Sequence, residues 1–272
     1  MASTDRRRVL RWRDGAAEWG PDALAVEEPL EIEVDGVRVS TTMRTPGQDI
    51  ELALGWLAAE GAISSLADIA EAKECFEHVE DSPDDVRRIV QVRTTSQPAI
   101  EPRLHATSSA CGICGADLIA LTQSTRRWPL AEDSTTFAID RVLAQPAALL
   151  DVQRGFAASG GLHAAGLFTP QGDLLCARED VGRHNAVDKV IGWALREGRL
   201  PLRGHALQVS GRASAELVHK AVMAGVPLLA AVSAPSTLAV DLARESGLTL
   251  VGFVRDGSLN VYAGAERLGL SD

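Results

Sequence analysis

Pro227-Leu228-Leu229-Ala230-Ala231-Val232 is a continuous apolar run of strand length, set between two helical stretches, Ala213 to Ala224 and Ser236 to Glu245. Gly225 closes the first helix and Gly247 the second, as glycine does where a chain must leave a helix through the left-handed region. Ala206 to Val209 reads as a strand before this unit, and Leu248 to Val254 as a strand after it. Strands alternating with helices of about ten residues indicate an α/β domain with parallel strands.

Upstream, Asn185 to Arg196 carries Val187, Val190, Ile191 and Leu195 at helical spacing, with Gly198 as its stop. Ala164 to Phe168, the turn Gln171-Gly172-Asp173 and Leu174 to Arg178 predict a hairpin. Ile139 to Gly155 reads as a helix ended by Gly155, and Asp117 to Thr125 as a short one. The α/β domain is therefore placed at 110–272. Residues 26–109 read as a smaller α+β portion. Glu31 to Val34 and Val37 to Met43 alternate with period two around an Asp35-Gly36 turn. Thr45-Pro46-Gly47-Gln48-Asp49 then breaks the chain, and Asp49 to Glu60 forms a helix stopped by Gly61. Val86 to Val92 is a strand, and Ser96 to Ala110 is a polar loop that delivers the chain to Cys111. Residues 1–25, with Arg6, Arg7, Arg8, Arg11 and Arg13, read as a ragged basic tail.

Composition narrows the functional classes. The chain has 272 residues and a formal net charge of −10, which argues against nonspecific nucleic-acid binding. No apolar run reaches the roughly 20 residues of a membrane span, and no apolar segment follows the N-terminal arginines as in a secretory signal. A cytoplasmic protein is expected. Its four cysteines, Cys75, Cys111, Cys114 and Cys176, are too few for a disulfide scaffold.

Cys111-Gly112-Ile113-Cys114 is the chemical centre of the sequence. Two thiolates at this spacing can form half of a tetrahedral zinc site, cycle as dithiol and disulfide, or carry sulfane sulfur as a persulfide. No second Cys or His pair stands at zinc-finger spacing, which weakens the zinc reading but leaves metal open beside redox and sulfur chemistry. Gly112 and Gly115 suit a loop that visits donor and acceptor. A zinc-dependent nucleoside deaminase is the rival reading, since His78-Val79-Glu80 precedes the Cys pair, although Ala110 stands where that motif has Pro. Cys75 and Cys176 read as inert buried thiols.

Two strand-to-helix turns, Ser210-Gly211-Arg212-Ala213-Ser214 and Ser233-Ala234-Pro235-Ser236, would present free N–H groups and a positive helix end to a phosphate. Arg212 and Ser214 are the candidate contacts, with helix capping the plain alternative for Ser214 and Ser236. Arg178-Glu179-Asp180-Val181-Gly182-Arg183-His184-Asn185 is the densest polar cluster, suited either to capping and surface ion pairs or to a binding loop. Gly160-Gly161-Leu162-His163 reads first as a backbone turn and second as a ligand contact.

In order along the chain, several stretches resemble the FdhD/NarQ family of formate dehydrogenase accessory sulfurtransferases. They are Thr45 to Gly55, Ser108 to Gly115, Gly160 to Ala165, Arg178 to Lys189, Ser210 to Leu217, Ser233 to Ser236 and Gly247 to Phe253. The resemblance covers about residues 25 to 265. It implies a cytidine deaminase-like C-terminal domain, a mixed sheet flanked by helices, beside the smaller α+β portion. It also implies a sulfurtransferase that takes sulfur from a cysteine desulfurase as a Cys111 persulfide, with Cys114 assisting. The sulfur would pass to the molybdenum (or tungsten) bis-pyranopterin guanine dinucleotide cofactor, held as substrate, before that cofactor enters formate dehydrogenase. GDP or GMP would mimic its nucleotide end, and with this resemblance no resident metal is expected. The family's cofactor-binding stretch maps onto Phe253, Val254, Arg255, Asp256, Gly257 and Ser258, where only Arg255 supplies an Arg-to-phosphate contact. The resemblance further implies a homodimer. A cofactor-binding chaperone without sulfur chemistry is the non-catalytic alternative.

Overall fold

The computed structural model describes residues 3–79, 82–98, 100, 103–107, 118, 119, 122, 126–255 and 257–270. Two sheets and a separate hairpin make up the β structure. A six-stranded sheet contains β8 (His163–Phe168), β9 (Leu174–Asp180), β10 (Ala206–Val209), β11 (Leu228–Ala231), β12 (Thr249–Arg255) and β13 (Ser258–Ala263). Its order is β13-β12-β11-β10-β8-β9; β10, β11 and β12 are parallel, and the remaining neighbours antiparallel. The expected mixed sheet flanked by helices is therefore present.

The apolar run at 227–232 owes its character to cover on both faces. Leu229 and Ala231 enter a cluster with α4 (Arg183–Arg196), α5 (Ala215–Met223) and α6 (Thr237–Ser246), through Val190, Val218 and Leu242. Leu228 and Ala230 enter a second cluster under α2 (Ile139–Val152), with Val142, Leu149 and Val254.

The five-stranded sheet has the order β5 (Ile69–Val79), β6 (Ser82–Thr94), β3 (Glu28–Val34), β4 (Val37–Arg44) and β7 (Arg103–Thr107). Asp35 and Gly36, both at positive φ (49° and 82°), make the tight turn that the Asp-Gly dipeptide predicts. The Asp35 carboxylate also accepts from the amide and hydroxyl of Thr94, at 2.9 and 2.6 Å, tying β6 to the turn. Leu30, Ile32 and Val34 of β3 share one core with Leu52 and Leu57 of α1 (Asp49–Ala59) and with the six-stranded sheet. The portions placed at 26–109 and 110–272 are thus not separate in their core.

Several sequence expectations are corrected. Residues 1–25 do not form a ragged tail: β1 (Thr4–Arg13) and β2 (Ala16–Ala25) pair antiparallel in full register across Asp14-Gly15, both at positive φ. The arginines belong to that hairpin. Arg11 meets Asp22 at 3.0 Å, and the Arg8 guanidinium lies 5.2 Å over the Trp19 ring. The helix expected to run to Gly155 ends at Val152, and α3 (Arg154–Ser159) follows. Glu179 explains the break, because its carboxylate accepts from the Gly155 and Phe156 amides at 2.9 and 2.7 Å and so caps the second helix. The stretch expected to be loop before Cys111 contains β7. Of the short helix expected at Asp117 to Thr125, Leu118, Ile119 and Thr122 are helical and the rest lies outside the described residues. Among the described residues, no helix is long and apolar enough to cross a membrane.

Candidate functional site

Three turns that are distant in sequence form one ledge at the C-terminal ends of the parallel strands. Val232 N donates to Val209 O at 3.2 Å, Ser236 N to Ala213 O at 3.1 Å, and Phe253 N to Ser233 O at 3.3 Å. The turns after β10, β11 and within β12 therefore hold one another. Open sheets bind ligands at this end. The Ser210 hydroxyl accepts from Ala164 N at 2.9 Å, which fixes the first turn to β8.

A cleft of about 580 Å³ opens beside the ledge. Leu143, Pro146 and Leu150 of α2 and Phe156 of α3 form its apolar wall. Gly160, Gly161, His163, Ser210 and Arg255 supply the polar side. This brings the Gly160-to-His163 motif, the first turn and the Phe253-to-Ser258 stretch to one place.

That last stretch is the end of β12, a tip and the start of β13. Arg255 pairs with Ser258, and the Ser258 hydroxyl donates to Arg255 O at 3.0 Å. Phe253 adopts φ 52°, a conformation rare for a bulky residue, inside a register shift of the β12–β13 pair. The Arg255 guanidinium lies 5.6 Å from its ring. Strain of this kind concentrates where structure over-determines a ligand-facing residue. Val254 corrects the expectation: its side chain is fully buried in the cluster under α2, so only its backbone can meet a ligand. Asp256, Cys111 and Cys114 lie outside the described residues.

A second constellation lies next to the first turn. His184 Nε2 is 3.1 Å from Ser214 Oγ and 3.4 Å from Glu216 Oε2. Burial, helped by the charges of Lys220 and Arg183 and opposed by Glu216, pushes the His184 pKa down to about 4. Burial also lowers His163, with Arg183 adding and Asp180 opposing. Burial lowers the Arg183 pKa, with the charge of Arg212 adding and Glu216 opposing. Glu216 lies in the Ser210-to-Leu217 stretch of the resemblance, which assigns it no role; 32 positions separate it from His184, so their meeting is not visible in the sequence.

The remainder of the polar cluster is structural. Asp180 and Lys189, both fully buried, pair at 2.7 Å. Asp180 also accepts from the amides of Thr45 and Gly182 and from Asn185 Nδ2, at 3.1, 2.8 and 3.0 Å. Lys189 donates to Thr45 O and Glu179 O. Arg178 grips Glu51 with two bonds, at 2.6 and 3.0 Å. These contacts lock the Thr45-to-Gly55 motif against the Arg178-to-Lys189 motif, and they are buried pairs, unlike the surface pairs that one of the two readings of the cluster would give.

Acid should loosen this region. An unfolded histidine takes up its proton near pH 6.5, whereas His184 in the fold does so only near 4. Protons therefore favour the unfolded chain throughout that window, and stability falls as pH drops through it, by at most about 3 kcal/mol for this one residue. Urea unfolding at steps from pH 7 to 4.5 should show a shallower pH slope for His184→Gln than for the wild type. Equal slopes would remove His184 as a cause.

Comparison with known proteins gives a consistent result. The model of the FdhD/NarQ family matches residues 25–269. A protein of Nocardia farcinica named sulfur carrier protein FdhD is 50% identical, over 97% of this chain and 95% of its own. The protein of that name from Streptomyces coelicolor is also 50% identical, over 98% and 96%. That from Mycobacterium tuberculosis is 48% identical, over 98% and 99%. A crystal structure from Desulfotalea psychrophila, described as a candidate formate dehydrogenase accessory protein, superposes with a TM-score of 0.77 at 23% identity. It covers 98% of this chain and all of its own, and shows the same fold.

Proposed function

Because the chain belongs to the FdhD/NarQ family, we propose that it is a sulfur carrier serving formate dehydrogenase, with Cys111 as the persulfide-bearing thiol. A cysteine desulfurase is the donor. The Cys111 thiolate attacks the terminal sulfur of the donor persulfide, forming Cys111-S-SH and releasing the donor cysteine as thiolate. The acceptor is the molybdenum bis-pyranopterin guanine dinucleotide cofactor, bound as substrate. Its diphosphate is held by backbone N–H groups of the ledge with Arg212, Ser214 and Arg255, and its flat rings lie against the cleft's apolar wall. Cys114 completes release when its thiolate attacks Cys111 Sγ: the Cys111–Cys114 disulfide forms and the sulfane sulfur leaves as sulfide, carrying the two electrons.

The observation that carries this reading is the ledge itself, two anion-suited turns and the irregular end of β12 bonded into one surface beside a cleft of about 580 Å³. Chain connectivity adds support. Thr107 of β7 pairs with Thr42, whose hydroxyl donates to Asn185 at 3.2 Å, next to His184. Cys111 follows Thr107 by four residues in the sequence.

The zinc deaminase reading is weaker on geometry. His78 lies on β5, at the far edge of the sheet from β7. Four strand spacings, about 19 Å, separate them before any offset along the strands.

Incubating the protein with a cysteine desulfurase and cysteine, then mapping peptides by mass spectrometry, should find one added sulfur, on Cys111. Calorimetry should find GDP bound, and weakened by Arg255→Ala. Sulfur on Cys75 or Cys176 alone, or no GDP binding at millimolar concentration, would overturn the corresponding half of the proposal.

A further inference from the structure

We infer that His184 is a positioning residue: it donates its Nε2–H to the Ser214 hydroxyl oxygen and thereby turns the Ser214 O–H outward, as a donor to a phosphate on the ledge. The inference rests on the proposed docking of the nucleotide diphosphate there.

Ser214 and Ser236 stand at equivalent places, each the residue before a helix that follows a parallel strand. Their side chains behave differently. The Ser236 hydroxyl accepts from Ala239 N at 3.2 Å, an ordinary helix cap. The Ser214 hydroxyl makes no capping bond, and among the described residues its side-chain partner is His184 Nε2, at 3.1 Å. A serine in a capping position that gives up its cap has been diverted to another use.

The direction of the His184–Ser214 bond follows from the third group. Glu216 Oε2 lies 3.4 Å from the same Nε2, and a carboxylate only accepts. An Nε2 without its proton would set lone pair against lone pair there. The ring therefore carries its hydrogen on Nε2, and Ser214 Oγ accepts. The serine's own hydrogen is then left to point away from the imidazole. Burial keeps the ring uncharged near pH 7, with Glu216 and Lys220 of α5, Arg183 of its own helix and His163 of β8 as the charged or titratable groups facing it. The Glu216 and Ser214 contacts hold the uncharged ring in its Nε2–H tautomer, so the hydroxyl is fixed before any ligand arrives. Arg212, exposed in the same turn, supplies charge, while Ser214 supplies direction.

Two measurements test this on the full chain. Nitrogen-15 NMR of the histidine rings should show His184 as the Nε2–H tautomer in the absence of ligand. Finding the Nδ1–H tautomer would overturn the inference whatever the ligand. Calorimetry with GDP should show about tenfold weaker binding for Ser214→Ala and for His184→Leu, and still about tenfold for the double variant, because both remove one donor. His184→Gln, whose amide can donate from near the Nε2 position, should stay within about threefold of the wild type. Unchanged binding by His184→Leu, or a hundredfold loss in the double variant, would overturn the positioning role alone. A wild type that binds no GDP overturns the docking reading beneath it, and the inference with it.

Discussion

Gly55→Ala is expected to prevent the protein from folding, and Gly192→Ala to do the same. A Cβ on Gly55 would stand 1.8 Å from the Asp188 carbonyl oxygen and 2.6 Å from its carbon. A Cβ on Gly192 would meet the Glu51 carbonyl at the same distances. The obstacle in both cases is backbone of the facing helix, which cannot rotate aside as a side chain does. The two glycines are reciprocal: α1 and α4 touch through them, Gly55 at the end of the Thr45-to-Gly55 motif and Gly192 just past the Arg178-to-Lys189 motif. Relief would require α1 and α4 to separate by more than an ångström. Separation would stretch the Arg178–Glu51 pair and the Thr45 contacts of Asp180 and Lys189, all of which cross this joint. Overpacking a tight core costs about 1–3 kcal/mol. Breaking a buried ion pair by losing its partner costs about 3–5 kcal/mol more. The sum is on the order of the whole stability of a domain. Soluble yield and the urea midpoint of each variant would check this. A Gly55→Ala protein within about 1 kcal/mol of the wild type would show that the joint is looser than its geometry.

This joint marks the limit of what the sequence alone discloses. The apolar run at 227–232, with a glycine-closed helix before and after it, specified the parallel strands because both its faces are covered. Asp35-Gly36 specified its hairpin because only residues tolerant of positive φ make that turn. The Asp14-Gly15 turn carried the same signal, but five arginines in the first strand masked it, and side-chain charge does not forbid a two-stranded ribbon. β5 was missed because Glu71, Lys73, Glu74 and Glu77 give an edge strand little apolar alternation. The Arg178-to-Asn185 cluster could not be divided from sequence. Its residues fall on both sides of the first turn of α4: Asn185 turns into the joint, while Arg183 and His184 turn toward the ledge. Which side each takes depends on α1 and α5, contributed from far along the chain. The resemblance marked Phe253 to Ser258 as a cofactor-binding stretch, but the burial of Val254 follows from strand alternation beneath α2, which the resemblance did not carry.

Replacing Cys111 with Ala is expected to abolish sulfur acceptance, and with it formate dehydrogenase activation, by at least a hundredfold. Replacing Cys114 should leave Cys111 loaded but slow its release. The asymmetry follows from the two roles, since acceptance needs one thiolate and disulfide-forming release needs both. The other thiols are poor substitutes. Burial pushes Cys176 up to about 12, and only 5% of that residue is exposed. Its thiolate fraction at neutral pH is then on the order of one in a hundred thousand. Cys75 donates to Gln91 Oε1 at 3.2 Å on β5, at the sheet edge remote from β7. Peptide mapping of each variant after desulfurase treatment separates the outcomes. Sulfur on Cys114 in the Cys111→Ala protein would exchange the two roles. Full activation by a variant lacking both cysteines would make the protein a cofactor chaperone, with the ledge and cleft as its entire working surface. The same ledge serves both accounts, so the cysteine variants decide the chemistry and the GDP measurements decide the docking, each independently of the other.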